Sequence, residues 1–337
     1  MKKRILSVLL TACTTLTMLV GCIAITGSSN DKNDNSNTTN SRIDINIACM
    51  KGPTGIGMIK LLSDSDAGKT KNIYHHSIVG TADEISSALI KGDLDIAAVP
   101  CNLASVLYNK TEGEVVTVAI NTLGVLYIVE AGNSINAVND LKGKTIYSTG
   151  QGTTPEYTLR YLLSSAGIDP DKDVDIQYKS EASEVVATLA KDTDGVAMLP
   201  QPYVTAAMNN NANLRIALDV TKEWEKLSNG NTVVTGVLVA RKSFIEANKE
   251  TFSLFLDEYK ASTEYANTNV EDTANLLETY DVFKAAIAKK AIPYCNVTFI
   301  DGAKMKTLAS AYLKVLFDQN PKSIGGKFDD NMFYISQ

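Results

Sequence analysis

The sequence predicts an α/β protein of two lobes, each a mostly parallel sheet flanked by helices, with two hinge crossings between them. Three observations carry this. From residue 43 onward, short apolar strand signals alternate with amphipathic helical ones. The order strand–helix–strand–helix–strand–helix occurs twice, over residues 43–107 and again over 144–208, which implies parallel strands with helices on both faces. Two further strand-like runs, 124–130 (GVLYIVE) and 236–241 (GVLVAR), bracket the second copy. The chain thus leaves a first lobe and returns to it, giving lobe I as 43–124 plus 237–337 and lobe II as 127–235.

In chain order, residues 43–50 (IDINIACM) alternate with period two and read as a strand. Gly52-Pro53-Thr54-Gly55 is a turn, and Ile59, Leu61 and Leu62 mark a helix after it. A second strand runs near 73–79. Thr81 followed three residues later by Glu84 is a helix-capping pair for a helix carrying Ile85, Leu89 and Ile90. Residues 95–99 form a short buried strand ended by Pro100, with a helix around 103–107. In the second copy, strand 144–148 meets the turn Gly150-Gln151-Gly152-Thr153-Thr154-Pro155, then a helix over 156–165. Strand 174–178, helix 182–190, strand 196–199 with Pro200, and helix 202–208 follow. Residues 244–320 are helical apart from a strand near 295–300, and Trp224 sits in a short helix of the inserted lobe as a packing residue.

The first 42 residues read differently. Lys2, Lys3 and Arg4 precede a largely apolar stretch over 5–20, and Leu19-Val20-Gly21-Cys22 closes it. A basic start, a short apolar core and a small residue at the cut mark an export signal over 1–21. The stretch is interrupted by four threonines and falls short of the about 20 apolar residues of a membrane span. The cysteine after the small residue resembles the lipobox of bacterial lipoproteins, which implies a diacylglycerol on the Cys22 thiol and cleavage just before it. A plain signal peptide with an incidental cysteine is the alternative. Residues 26–42 (TGSSNDKNDNSNTTNSR) hold no large apolar side chain, so 22–42 is expected to be a lipidated cysteine and a disordered tether. Seventeen such residues span about 20–25 Å.

The chain carries a net charge of −6, and because residues 1–21 hold three basic and no acidic side chains, the remainder stands at −9. So acidic a chain argues against a nucleic-acid partner and against spreading on an anionic membrane. Apart from Cys13 and Cys22, three cysteines remain, Cys49, Cys101 and Cys295, with no C-x-x-C spacing to suggest a zinc site. Buried free thiols are the simplest reading, and a Cys49–Cys101 disulfide is left open. The two histidines, His75 and His76, are adjacent in a strand and point to opposite faces, so they make no metal pair. No catalytic residue, metal or cofactor is expected, and the protein is expected to be a monomer.

Ligands of parallel α/β sheets bind beyond the carboxyl ends of the strands, at helix N-termini. That rule selects Thr54, Gly55, Thr81 and Asn102 in lobe I, and Gln151, Gly152, Thr153, Thr154, Gln201 and Tyr203 in lobe II. They offer hydroxyls, amides and backbone N–H groups with almost no charge, a set that suits an anion or a neutral polar ring. Each is also an ordinary cap or turn residue.

Lys51-Gly52-Pro53-Thr54-Gly55, Gly92-Asp93-Leu94-Asp95-Ile96-Ala97, Gly150 to Tyr157 (GQGTTPEY), Leu199 to Val204 (LPQPYV) and Ile324-Gly325-Gly326-Lys327 together resemble the solute-binding lipoproteins of ABC importers. The likeness is to the nitrate, sulfonate, taurine and thiamine-precursor branch, of type II periplasmic-binding fold. The resemblance implies a small polar or anionic solute held between the lobes and delivered to permease subunits, with Thr54, Asn102, Thr153 and Gln201 at the ligand. It implies a location on the outer face of the cell membrane through the lipid. Related enzymes of thiamine-pyrimidine synthesis carry a CCCFC run that is missing here, which weighs against that chemistry. A cleft enzyme and a sensing module without transport are the alternatives, and the solute's identity is left open.

Overall fold

The computed structural model describes residues 43–192 and 194–335. The expected leader, Cys22 and the polar segment to residue 42 lie outside them. The chain begins with β1 (Asp44–Met50), α1 (Pro53–Ile56), α2 (Ile59–Asp66), β2 (Ile73–Val79), α3 (Ala82–Lys91), β3 (Ile96–Pro100), α4 (Cys101–Lys110) and β4 (Val115–Leu123). It continues through β5 (Leu126–Ala131), β6 (Thr145–Ser148), α5 (Thr154–Ser165), β7 (Asp175–Tyr178), α6 (Ala182–Leu189), β8 (Val196–Pro200), α7 (Tyr203–Asn210), β9 (Leu214–Asp219) and α8 (Val220–Leu227). It ends with β10 (Val234–Arg241), α9 (Lys242–Ala247), α10 (Lys249–Thr268), α11 (Val270–Thr279), α12 (Ala285–Ala291), β11 (Val297–Ile300) and α13 (Gly302–Gln319).

Two sheets result. The six-stranded sheet has the order β11-β4-β10-β3-β1-β2, and the five-stranded sheet the order β7-β6-β8-β5-β9. The two-sheet α/β architecture matches the class read from the sequence, with one correction to the strand directions. The parallel part of each sheet is three strands, β2-β1-β3 and β7-β6-β8, and every other pairing is antiparallel. Each sheet is therefore mixed rather than mostly parallel. The strands responsible are β4 and β9, which were not anticipated, and β5 and β10, which run into each sheet against the parallel set. Residues 53–56, expected as a turn, close one helical turn as α1.

Burial follows the strand positions. In β1, Asp44 and Asn46 are exposed while Ile45 and Ile47 are buried, the alternation of a strand with one covered face. Strand β3 is buried at every residue, as its central place requires. At the edge, β2 turns its two histidines apart: His75 Nε2 lies 2.8 Å from Asp44 Oδ1, and the His76 ring meets Tyr280 edge-on at 5.7 Å. The expected capping pair forms on α3, where the Thr81 backbone N–H and hydroxyl both donate to Glu84 Oε1, at 3.2 and 2.9 Å. Asp219 caps α8 through the N–H groups of Thr221 and Lys222, and the helix seats Trp224, fully buried, against Tyr161 and Tyr312 at 4.4 and 5.1 Å between ring centres. Cys49, Cys101 and Cys295 are free and buried, and burial pushes the Cys49 thiol up to about 12 and the other two higher still. Such thiols stay protonated and unreactive.

Candidate ligand cleft

A cavity of about 430 Å³ lies where the carboxyl ends of the parallel strands of both sheets converge. The six-stranded half contributes Met50 at the end of β1 and Lys51 after it, Thr54 of α1, Gly80 and Thr81 after β2, and Pro100 of β3. The five-stranded half contributes Thr149 to Gln151, Thr153 and Thr154 after β6, Tyr178 to Glu181 at and after β7, Pro200 of β8 and Tyr203 of α7. The amino ends of α1, α3, α5, α6 and α7 therefore face one space. Their aligned peptide dipoles favour negative charge there, and side chains of this chain, Asp83 at α3, Glu181 at α6 and Gln201 at α7, meet part of that preference.

The sequence-derived residues divide into two groups. Thr54, Thr81, Gln151, Thr153, Thr154 and Tyr203 line the cavity. Gly55, Asn102, Gly152 and Gln201 do not. Gly55 packs α1 onto β1, where a methyl group would lie 2.6 Å from the Met50 carbonyl oxygen. The Asn102 side chain, fully buried, donates to the carbonyls of Ser323 (2.9 Å) and Gly152 (3.2 Å) and accepts from the Thr154 hydroxyl (3.2 Å). It thereby binds α4 to the glycine-rich loop of the other half. Gln201 Oε1 accepts from the backbone N–H and the hydroxyl of Thr205, at 3.3 and 2.8 Å, and so covers the first turn of α7. Gly152 donates its N–H to Glu156 in the first turn of α5, and a cis peptide joins Gln201 to Pro202.

Several of the lining hydroxyls already have acceptors. Thr153 donates to the Gly150 carbonyl at 2.7 Å, Thr81 to Glu84, and Thr154 to Asn102. Tyr203 reaches across to the Lys51 carbonyl at 3.5 Å and stacks edge-on against Phe283, with ring centres 4.9 Å apart. Burial, with Glu181 nearby, pushes its phenol up to about 12, so it is a neutral donor at physiological pH.

The structure adds charge that the sequence-derived set lacked: Lys51, Asp83, Lys179 and Glu181 all line the cavity. Lys51 and Lys179 directly follow β1 and β7, so the same carboxyl-end rule pointed to them. Lys51 Nζ pairs with Asp281 at 3.2 Å, and Lys179 Nζ lies 5.6 Å from the centre of the Tyr147 ring. Asp83 and Glu181 sit at the amino ends of α3 and α6, where their carboxylates offset the helix dipoles. Glu181 also reaches the opposite half: a methyl group on Gly80 would lie 2.7 Å from its carboxylate oxygen. A further missed residue is Asn121 of β4, whose Nδ2 donates to the Thr54 carbonyl (3.0 Å) and the Tyr259 hydroxyl (3.3 Å) and so fixes α1 at the cleft.

Two mixed sheets that close a cavity between their strand ends define a solute-binding fold. The chain belongs to the family described as "ABC transporter, phosphonate, periplasmic substrate-binding protein", which matches residues 69–278. This is a family of transporter components that bind small ligands and permease subunits, rather than one of enzymes. Among solved structures, the chain is similar to an ABC transporter protein from Parabacteroides distasonis, at 23% identity and a TM-score of 0.71, covering 87% of this chain and 99% of that one. It is similar to the periplasmic aliphatic sulphonate binding protein SsuA from Escherichia coli, at 17% identity and TM-score 0.69, covering 87% and 92%. It is also similar to the periplasmic nitrate-binding protein NrtA from Synechocystis PCC 6803, at 12% identity and TM-score 0.63, covering 86% and 84%. Comparison with curated proteins gave no match. Among the described residues, no helix is long and apolar enough to cross a membrane.

Proposed function

We propose that this chain captures a small organic oxyanion, of the phosphonate or sulfonate kind, in the cleft and presents it to the permease of an ABC importer. The observation that carries this is the convergence of five helix amino ends on one cavity of about 430 Å³. That size fits a small molecule. Helix N–H groups hold an anion without a dedicated cation; Lys51 and Lys179 add positive charge at the margin, matched in number by Asp83 and Glu181 at two helix amino ends. The solute's contacts fall on Thr54, Thr81, Thr153, Thr154 and Tyr203, with Asn102, Gly152 and Gln201 holding the loops that present them. The two lobes are the expected 43–124 plus 237–337 and 127–235, with one boundary moved: β10 starts at Val234 in the six-stranded sheet, so residues 234 and 235 belong to the first lobe. Closure is favoured because only the closed form lets both lobes touch the solute.

The anchor belongs to the same reading. Leu19-Val20-Gly21-Cys22 after a basic, apolar leader supports lipidation at Cys22, which keeps the cleft at high local concentration beside its permease on the outer face of the membrane. Replacing Cys22 with Ser should move the protein from the membrane fraction to the soluble fraction.

Calorimetric titration and thermal unfolding with methylphosphonate, ethanesulfonate and nitrate test the ligand class, with acetamide as a neutral control. A solute at 100 times its Kd adds about 2.7 kcal/mol of stability. Stabilisation by at least one anion and none by acetamide is the expected result. No shift with any of the three rejects the oxyanion reading. Mass spectrometry of the recovered solute should find it chemically unchanged.

A further inference from the structure

Thr235 is placed unlike any other threonine of the cleft. It lies in β10, the strand that re-enters the six-stranded sheet, and it lines the cavity. Its neighbours Val234 and Gly236 pair with Leu123 and Thr122, which are consecutive on β4. Two steps on β10 thus oppose one on β4, and Thr235 is the extra residue of a β-bulge. Bulges re-aim a side chain out of the regular alternation and concentrate near functional sites. On the other side, Gly236 pairs with Pro100, itself a cavity residue. Gly236 has no room for a side chain: a methyl group there would lie 2.4 Å from Thr54 Cγ2. Thr54 therefore packs directly on the residue after Thr235, and both threonines line the cavity.

The Thr235 hydroxyl is buried and has no hydrogen-bond partner, although the residue is 7% exposed. The hydroxyls of Thr81, Thr153 and Thr154 all have protein acceptors. A buried, unpaired hydroxyl costs stability, and a valine of the same shape would not carry that cost. One staggered χ1 rotation carries its oxygen to the position its methyl group held. The residue thus holds a donor that the fold itself does not use.

We infer that Thr235 is a solute-binding residue, its hydroxyl donating to an oxygen of the bound anion beside the amino end of α1. This rests on the oxyanion reading of the cleft and adds to it a contact on the returning strand. A donor left unpaired in the empty protein is satisfied on binding, so its contribution appears as affinity and not as stability.

The experiment compares Thr235→Val, Thr235→Ser and Thr273→Val in the full chain, by calorimetric titration with methylphosphonate, ethanesulfonate and nitrate and by thermal unfolding without solute. Thr273 also has a buried hydroxyl without a partner, but it lies in α11, away from the cavity. Thr235→Val is expected to bind the preferred anion at least tenfold more weakly, with an unchanged or raised Tm. Thr235→Ser should bind within about threefold of the parent, since a hydrogen bond kept in place costs little. Thr273→Val should leave affinity unchanged. If Thr235→Val binds as the parent does, whether or not its Tm falls, the inference is overturned while the oxyanion reading stands. If Thr235→Val does not fold, Thr235→Ser must still bind within that range, and tenfold weaker binding by a folded Thr235→Ser overturns the inference. If the parent binds none of the three anions, the oxyanion reading fails and the inference fails with it.

Discussion

Two sets of contacts tie the six-stranded half to the five-stranded half, and they differ in kind. One is a buried seam. Helix α13 packs on β4 and β10 and also on α5, and its Tyr312 meets the Trp224 ring and shares a 2.8 Å hydrogen bond with Thr158. Asn102 belongs to this seam through its bonds to Gly152 and Thr154. The other is a rim at the cleft, where Tyr203 touches Phe283 and the Lys51 carbonyl, and Lys51 pairs with Asp281. Trp224, Tyr312, Thr158 and Asn102 are fully buried, whereas the Lys51–Asp281 pair is exposed to water. Parting the seam would expose large rings and unpair buried polar groups. Parting the rim loses the Tyr203–Phe283 contact, one long hydrogen bond, a solvated ion pair and the packing of α12 on α7, with no fully buried aromatic or polar side chain among the first three. The difference teaches that the contacts behind the cleft cost more to break than those at its rim, so if the two lobes open as proposed above, the seam is the pivot.

The largest test of this contrast is Trp224→Ala. It empties a site walled by two tyrosines, and removal of a buried aromatic side chain costs about 3–5 kcal/mol. Urea unfolding should show that loss. Asn102→Ala comes next. It strips Thr154 of its acceptor and the Gly152 and Ser323 carbonyls of their donor, and leaving buried polar groups unpaired costs about 1–3 kcal/mol. If Asn102→Ala keeps full stability, the seam is looser than its geometry implies.

Asn102 also marks where the sequence stopped being legible. The repeat of strand and helix was readable because apolar spacing and Gly/Pro punctuation are local signals. The carboxyl-end rule then located the cleft loops from those elements. Whether a side chain at such a loop faces the cavity is not local. Asn102 meets carbonyls 50 and 221 residues away, and those partners turn it into the seam. Thr235 is the converse. Its aim depends on the register of β10 against β4, a strand over 115–123 (VVTVAINTL) that the sequence pattern did not single out. The cleft's charges were missed for another reason. Lys51 and Lys179 stand at the places the rule selects, but a lysine carries no cap or turn signal of its own to mark it.

Phe283→Ala tests the rim. An edge-to-face aromatic pair contributes about 0.5–1.5 kcal/mol beyond its buried area, and Phe283 is only partly buried, so unfolding stability should fall by about 1–2 kcal/mol, less than for Trp224→Ala. Solution scattering without solute should show a larger radius of gyration than the parent, and saturating anion should restore the parent value. An equal expansion in Asn102→Ala but none in Phe283→Ala would reverse the assignment of pivot and rim.

The smallest effect is expected at Asp281, whose carboxylate pairs with Lys51 in open solvent. An exposed pair of this sort contributes little to folding because water screens it and two long side chains must be held in place. Asp281→Asn should therefore leave the Tm unchanged. Binding is where the substitution acts. Asp281 competes with an incoming anion for the Lys51 ammonium at the cavity edge, and removing the competitor frees that charge for the solute. Affinity for the preferred anion should rise by less than about fivefold, the span that surface ion pairs cover, and the gain should shrink as salt is raised. A fall in Tm would mean that the pair holds the rim shut more firmly than an exposed contact can, and would bring rim and seam closer in kind. An unchanged affinity at low salt would place Lys51 outside the electrostatic reach of the solute, leaving the helix amino ends and Lys179 to attract it.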